Sequence, residues 1–462
     1  MGALTPFLPY PVRALSQPQL DRFRVQAAPS GAGRWALKGF GALAASPMGP
    51  WYRRGQRLWG PWTTLFGPGL DPGHGPGRWW LPYPVSMERP EFAQYPYLVA
   101  WEVTNACLLA CRHCRASAMP HPLPGELSTE EGLGLIEEVA TYRPKPLLLL
   151  TGGDPLARPD LTVLIQRARE LGLKVGLTPA ATPLLTREKV FQLKEAGVTR
   201  LALSLDGASP QSHDAFRGEE GTFARTLAAL DWAKEAGLPT QVNTTVTREN
   251  WPEIRALPDL LAEKGVVLWS LFFLVPVGRG ALLRQLSARQ FEEVLHWLYE
   301  VSLSYPFHVK TTEAHHFRRV VLQRRREGVG QDRALAAGES MYREYFQDGM
   351  EHSRLGVTDG NGFVFVSATG DVAPSGFLPV YAGNVRERTL LEIYRNSPLF
   401  QALRDKDRLK GKCGVCEYRY VCGGSRARAW AETGDYLQSE PRCAYVPPAW
   451  LERVGKAPGA RR

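Results

Sequence analysis

Cysteines supply the clearest chemical signal in this sequence. The chain contains seven, in two groups with a long cysteine-free stretch between them: Cys107, Cys111 and Cys114, then Cys413, Cys416, Cys422 and Cys443. A secreted protein held together by disulfides would spread an even number along a short chain. An odd total divided into three and four instead predicts metal ligation in a reducing compartment.

The first cysteine loop, formed by Cys107, Cys111 and Cys114, has the spacing C-x3-C-x2-C and follows the apolar, β-prone stretch 97–104. A loop that follows a strand allows three thiolates to converge on one centre. Three thiolates leave one iron of a four-iron cluster without a protein ligand, and that iron is open for chemistry. The alternative is a zinc site made by the three cysteines and His113.

A glycine pair lies further along the chain, in the segment Gly152-Gly153-Asp154-Pro155 after the apolar run 146–150. Glycine at the end of a strand lets the backbone approach a ligand closely. Together with the first cysteine loop, this segment resembles the radical S-adenosylmethionine (SAM) superfamily. The resemblance implies a [4Fe-4S] cluster whose fourth iron binds SAM. It also implies that these four residues are the family's GGEP motif, which contacts the SAM amine, with Asp154 in place of glutamate.

The same resemblance implies reductive cleavage of SAM to methionine and a 5′-deoxyadenosyl radical, which then abstracts a hydrogen atom from the substrate. No catalytic residue is assigned beyond the cluster. His113 stands where the family usually has an aromatic ring near the adenine, and further SAM contacts are expected at the carboxyl ends of the strands. These candidates are Thr178, Ser204, Asp206, Asn243 and Gly278. For each of them the alternative is an ordinary turn or cap residue.

Strand-like and helix-like segments alternate over residues 96–280, which predicts βα units and a parallel sheet. A good helix N-cap, Ser128-Thr-Glu-Glu, opens the first helix. We therefore expect an α/β fold: the partial, six-stranded βα barrel of the radical SAM family, with a small C-terminal α+β iron–sulfur domain. The six predicted strands cover residues 97–104, 146–151, 174–178, 200–206, 240–247 and 266–275.

The second cysteine group, formed by Cys413, Cys416, Cys422 and Cys443, has enough thiolates for a cluster that is fully ligated by protein. A structural zinc site is the alternative. The region resembles the SPASM/Twitch auxiliary domains of radical SAM enzymes. Ser375 stands where that family often has a cysteine, so the resemblance implies one auxiliary [4Fe-4S] cluster rather than two.

The chain of 462 residues is long enough for several domains and carries a formal net charge of +10. The predicted domains are a basic extension rich in Trp, Pro and Gly (1–95), the barrel (96–285), a helical bridge (286–354), the auxiliary domain (355–446) and a basic tail (447–462). The extension either packs over the barrel or binds an anionic aromatic ligand or a surface. No apolar run reaches the ~18 residues of a membrane-spanning helix.

The stretch from Glu417 to Arg428 resembles the branch of the superfamily that builds haem-type cofactors. We therefore expect a small-molecule substrate, a tetrapyrrole whose propionate is oxidised or decarboxylated. The segment Thr311–Arg319 offers donors, acceptors and axial ligands for it, or else is a solvated helix start. The alternatives are a radical SAM maturase of peptide or protein side chains and a non-catalytic iron–sulfur or zinc protein. We also expect an electron donor such as ferredoxin or flavodoxin, no nucleic-acid partner and a cytoplasmic location.

Overall fold

Parallel strands that follow one another in chain order form the centre of the fold. The computed structural model describes residues 92–328 and 357–455, which all belong to one compact unit. Strands β1 to β7 lie side by side in sequence order, and each pair is parallel. The strands are Leu98–Glu102 (β1), Leu147–Thr151 (β2), Lys174–Leu177 (β3), Val198–Ser204 (β4), Thr240–Val246 (β5), Leu268–Phe273 (β6) and His308–Thr312 (β7).

Helices connect these strands and cover one face of the sheet. The first begins after Ser128, whose capping box with Glu131 is present as predicted. The helices before residue 329 are Thr129–Ala140 (α1), Leu161–Glu170 (α2), Arg187–Ala196 (α3), Pro210–Arg217 (α4), Thr222–Glu235 (α5), Trp251–Ile254 (α6), Leu257–Glu263 (α7), Ala288–Ser304 (α8) and Phe317–Arg326 (α9). Within residues 92–328 and 357–455, every helix is too short or too polar to cross a lipid bilayer.

The C-terminal part of the chain continues the same sheet on the other side of β1. Strand β9 pairs with β1 in parallel, and β9 and β10 form an antiparallel hairpin. The strands are Thr358–Asp359 (β8), Gly362–Val366 (β9), Asp371–Ala373 (β10) and Gly383–Asn384 (β11), and the helices are Leu390–Asn396 (α10), Pro398–Arg404 (α11), Gly411–Gly414 (α12), Arg426–Thr433 (α13) and Pro448–Gly455 (α14).

All six predicted barrel strands are present, so the α/β fold is confirmed. The region 286–354 contains more than the predicted helical bridge, because β7 lies there and pairs with β6. Strand β7 has the half-buried sequence HVKTT, which lacks the continuous apolar run of a fully buried strand. The predicted domain boundaries stay predictions, and those for 1–95 and 447–462 lie mostly or partly outside the described residues.

Candidate active site and second cysteine site

The first cysteine loop starts just beyond β1 and is largely buried. Cys107 and Cys111 are 7% exposed, and both pack with Leu109 and Ala118, while Cys114 lies half-buried beside them. Backbone amides point at the sulfurs, because Leu109 N donates to Cys107 Sγ at 3.4 Å and Ala118 N donates to Cys114 Sγ at 3.4 Å. Such N–H···S contacts are the hydrogen bonds that tune iron–sulfur centres.

The Gly152–Pro155 segment lies directly against this loop through its backbone. Gly153 N donates to Thr104 O at 2.8 Å, and Asp154 N donates to Ala106 O at 2.7 Å. A Cβ on Gly153 would lie 2.4 Å from Ala106 O, closer than real Cβ atoms approach backbone. Glycine is therefore required here for the two loops to touch.

Asp154 uses its side chain to hold the site together. Its carboxylate accepts from Thr182 Oγ1 at 2.7 Å, from Ala180 N at 3.2 Å and from Leu156 N at 3.1 Å. Burial raises the pKa of Asp154, although these three donors favour its charged form. The carboxylate thus connects the loop after β2 with the loop after β3.

Asp206 belongs to a buried network that ends on a cysteine sulfur. It is fully buried, and its Oδ2 lies 2.7 Å from Arg217 Nη2, while its Oδ1 accepts from Thr245 N at 2.6 Å. Arg217 Nη1 then donates to Cys111 Sγ at 3.6 Å. Sequence reasoning missed Arg217, because its helix α4 was not among the predicted elements. Asp206 thus reaches the cysteine loop through Arg217, and its predicted contact with SAM stays a prediction.

Gly278 lies where the chain passes the cysteine loop after β6. Its φ is +54°, and a Cβ there would lie 2.3 Å from Arg115 O. The next residue, Arg279, donates from Nε to Cys111 O at 2.9 Å and from Nη1 to Ala118 O at 2.9 Å. Arg279 therefore fixes the path of the loop, a role that the sequence motif did not indicate.

His113 stacks on Phe216, with ring centroids 4.6 Å apart and planes within 15°. Burial lowers its pKa well below the usual range, and the nearby charges of Arg217 and Arg279 lower it further. A neutral, flat ring at this point agrees with the expected place beside an adenine, which stays a prediction.

Of the other three predicted SAM contacts, Ser204 and Thr178 lie at the carboxyl ends of β4 and β3, and Asn243 lies in the middle of β5. Ser204 ends β4 and faces Asn243 of β5 across the pair. Asn243 Oδ1 accepts from Gln241 Nε2 at 2.7 Å. Thr178 directly follows β3, and its amide donates to Leu150 O at 3.0 Å. All three side chains are half-buried, so they face a space that solvent or ligand reaches.

The thiols of the first loop fit a positively charged centre. Burial, with smaller contributions from Asp154 and the neighbouring Cys111 and Cys114, raises the pKa of Cys107 to about 12. Burial likewise raises the pKa of Cys111. Burial makes the negatively charged thiolate forms of these cysteines unstable, and a positively charged metal cluster would stabilise them by neutralising that charge. The three cysteines would hold such a cluster with one iron left open.

The second cysteine group lines one pocket of about 340 Å³, counting the space open to solvent. Burial raises the pKa of Cys416 to about 12 and that of Cys443 to about 11, so this group also fits a cationic centre. Gly424 N donates to Cys422 Sγ at 3.3 Å, and Glu440 N donates to Cys413 Sγ at 3.3 Å. All four cysteines line this pocket, and their role as ligands of a second cluster stays a prediction.

The segment Thr311–Arg319 belongs to this second site and is not a solvated helix start. His315 is 7% and His316 is 1% exposed. A ring nitrogen of His315 lies 3.0 Å from Gly424 O, and His316 and Arg319 line the cysteine pocket. The histidines therefore face the second cysteine group.

Arg428 connects the second cysteine group to the ends of β6 and β7. Its guanidinium donates to Phe273 O at 3.0 Å and to Glu313 O at 2.8 Å, at the ends of β6 and β7, and it contacts Glu440 at 3.2 Å. Burial disfavours the charged form of Glu440, yet Arg428 and His316 hold its pKa below the usual range. Ser425 Oγ donates to Glu313, which completes a continuous chain of contacts from the second cysteine group to the end of β7.

Comparison with known proteins gives two family matches. Residues 101–261 match the model of the radical SAM superfamily, and residues 359–417 match SPASM, an iron-sulfur cluster-binding domain. The SPASM match contains Cys413 and Cys416, while Cys422 and Cys443 lie beyond it.

Two curated relatives share much of the sequence. The AdoMet-dependent heme synthase of Methanosarcina barkeri is 44% identical over 76% of this chain and 97% of its own length. The protein of the same name from Oleidesulfovibrio alaskensis is 42% identical over 76% of this chain and 87% of its own length. Among solved structures, SuiB of Streptococcus suis bound to S-adenosylmethionine covers 76% of this chain and 78% of its own, with a TM-score of 0.59 and 16% identity, which shows the shared fold.

Proposed function

The chain belongs to the radical SAM superfamily and to the same family as the AdoMet-dependent heme synthases, and we propose that it modifies a carboxylate side chain of a tetrapyrrole. The observation that carries this proposal is the 44% identity to a heme synthase across 97% of that relative's length. When bound, two [4Fe-4S] clusters supply the electron that cleaves SAM and an acceptor for the electron that the substrate releases.

The proposed reaction converts a propionate side chain into a vinyl group. The carbon adjacent to the ring loses a hydrogen atom to the 5′-deoxyadenosyl radical. The carboxylate then leaves as CO2, one electron leaves with it, and the two remaining carbons become a double bond. Relative to the propionic acid, the side chain loses CO2 and two hydrogens. The electron must go to an acceptor. A cluster on the second cysteine group could accept it, because Glu440 and Arg428 connect that group to the ends of β6 and β7.

The described residues divide this work between binding and shielding. The Gly152–Pro155 segment and Asn243 would orient SAM over the first cysteine loop. Arg217 and Arg279 hold that loop in place through Cys111. The second cysteine group would hold one auxiliary cluster. A buried, ordered site of this kind excludes water and so protects a reactive radical.

The proposal also includes an electron donor and a location in the cell. SAM cleavage consumes an electron, so a low-potential protein such as ferredoxin or flavodoxin would deliver it. All seven cysteines are free thiols in the structure. Free thiols that bind iron–sulfur clusters are typical of a reducing compartment, for which we propose the cytoplasm.

The direct test is anaerobic titration of the reconstituted enzyme with iron-coproporphyrin and sirohaem derivatives. We expect a shift of the Soret band on binding and, after SAM and dithionite are added, a product that has lost CO2 and two hydrogens for each vinyl group formed. No spectral shift with any tetrapyrrole, together with deuterium transfer from a labelled peptide into 5′-deoxyadenosine, would establish the peptide-maturase alternative instead.

The radical SAM step has a separate test. Cys107→Ala, Cys111→Ala and Cys114→Ala should each abolish 5′-deoxyadenosine formation under dithionite, because each removes a ligand of the open cluster. Lys194→Met, a substitution on the exposed side of α3, is the control and should leave the yield unchanged. Release at the wild-type level from any of the three cysteine variants would contradict the assignment of this loop.

A further inference from the structure

One row of polar side chains crosses the sheet from β4 to β7. The strand registers place Ser204 beside Asn243, Asn243 beside Ser270, and Ser270 beside Lys310. Ser204 and Asn243 are predicted SAM contacts. Ser270 and Lys310 extend the same row over β6 and β7, and neither belongs to the first cysteine loop or to the predicted SAM contacts.

Both added residues point away from the helix-covered face of the sheet. Trp269 and Leu271 belong to the main core between the sheet and the helices, and Val309 packs against that core. Because side chains alternate along a strand, Ser270 and Lys310 lie on the opposite face, which is the interior of the partial barrel.

Polar atoms of this pair lack partners. Ser270 is fully buried, and its Oγ has no hydrogen-bond partner in the part of the chain that the structure describes. Lys310 is half-buried, and its ammonium forms no hydrogen bond or ion pair with described residues. A buried hydroxyl without a partner costs about 1–3 kcal/mol, so such a group is expected to meet a ligand or an ordered water.

The surroundings of Lys310 are positively charged. Burial, together with the nearby cations Arg318 and Arg200, lowers the pKa of Lys310 to about 8. Arg318 already donates to Val421 O at 3.1 Å and to Val357 O at 2.8 Å. The charge of Arg318 is thus held by two backbone carbonyls, whereas the ammonium of Lys310 has no described partner, and an anion beside it would relieve the repulsion among these cations.

We propose that Lys310 and Ser270 bind a carboxylate of the substrate, one that the substrate keeps throughout the reaction. This inference rests on the proposed function, since it requires a substrate with more than one carboxylate. The ammonium and the hydroxyl would donate to the two carboxylate oxygens, and the charge-assisted bond would orient the tetrapyrrole beside SAM.

The chemistry favours a retained carboxylate over the one that departs. A carboxylate that becomes CO2 loses its charge in the transition state. An ion pair to it would stabilise the ground state more than the transition state and would slow the reaction. An ion pair to a retained carboxylate is equally strong in both states, so it improves binding and leaves the chemical step alone.

The test compares Lys310→Met with Lys310→Arg in the holoenzyme, using Soret titration with iron-coproporphyrin. Lys310→Met keeps the side-chain length without the charge, and we expect binding about 10- to 100-fold weaker, as for loss of one charged hydrogen bond. Lys310→Arg should bind within a few-fold of wild type. With saturating substrate, Lys310→Met should keep its turnover number, because only uniform binding is lost. Lys194→Met is the matched control.

Three outcomes separate this inference from its alternatives. Wild-type affinity in Lys310→Met would overturn the carboxylate site but leave the proposed function intact. Weaker SAM binding in Lys310→Met, with unchanged tetrapyrrole binding, would assign the residue to the SAM carboxylate and also overturn the inference. No tetrapyrrole binding by the wild type would overturn the proposed function itself. A methyl-esterified substrate should bind wild type and Lys310→Met equally, since the ester removes the same ion pair.

Discussion

Replacing Arg428 with methionine should destabilise the folded chain strongly. Arg428 is fully buried, and its guanidinium satisfies carbonyls of Phe273 and Glu313 as well as the carboxylate of Glu440, which is 1% exposed. Methionine fills a similar volume but leaves Glu440 as an uncompensated buried charge. Breaking a buried ion pair in this way costs about 3–5 kcal/mol. The measurement is equilibrium unfolding in guanidinium chloride under anaerobic conditions, followed by far-UV circular dichroism.

Two further variants separate the buried charge from the loss of bulk. Arg442→Met removes a partly exposed ion pair with Glu432, 3.0 Å apart, and should cost at most about 1 kcal/mol. The double variant Arg428→Met/Glu440→Gln removes the orphaned charge and should recover part of the lost stability. A loss in Arg428→Met no larger than that in Arg442→Met would refute the reasoning, as would a double variant less stable than the single one.

Three more predictions follow from the two sites. Gly153→Ala should abolish SAM cleavage and lower the iron content, because its Cβ would lie 2.4 Å from Ala106 O; iron analysis and 5′-deoxyadenosine yield check this. Replacing all three cysteines of the first loop should leave about half of the roughly eight irons per chain; zinc in the second site would show that site to be structural. Burial and Arg217 lower the pKa of His213 to about 4, so stability should fall by about 3 kcal/mol as pH drops from ~6.5 to ~4, where only the unfolded state binds the proton. His213→Gln should remove most of this pH dependence in unfolding titrations.

The fold was predictable where the sequence alternates cleanly. Most of the barrel strands are rich in apolar residues and several of the helices between them are followed by glycine, so local signals and the final structure agree there. Strand β7 was missed because its sequence, HVKTT, is only half-buried and lacks an apolar run. Lys310 belongs to this polar sequence. The polar residues that made β7 hard to predict therefore include the residue that we propose binds a carboxylate.

The two cysteine groups could be predicted because the spacing within each group is visible in the sequence. The residues that hold the two groups in place could not be predicted. Arg217 reaches Cys111 Sγ at 3.6 Å from 106 positions away in the chain. Arg428 reaches the carbonyl of Phe273 across 155 positions. The first contact depends on how the barrel closes and the second on how the barrel and the C-terminal part fold together, and no spacing pattern in one sequence encodes them.

Three arginines near the two cysteine groups make their contacts within the protein. Arg217 and Arg279 bind the first cysteine loop, and Arg428 binds strand ends and a buried glutamate. A guanidinium has five donors in a fixed plane, which suits several protein acceptors at once. An ammonium on a flexible stem suits one mobile anion better, and its charge is easily left without a protein partner. These three arginines therefore stabilise the protein itself, whereas the ammonium of Lys310 has no partner among the described residues and is, in our proposal, the group that binds a substrate carboxylate.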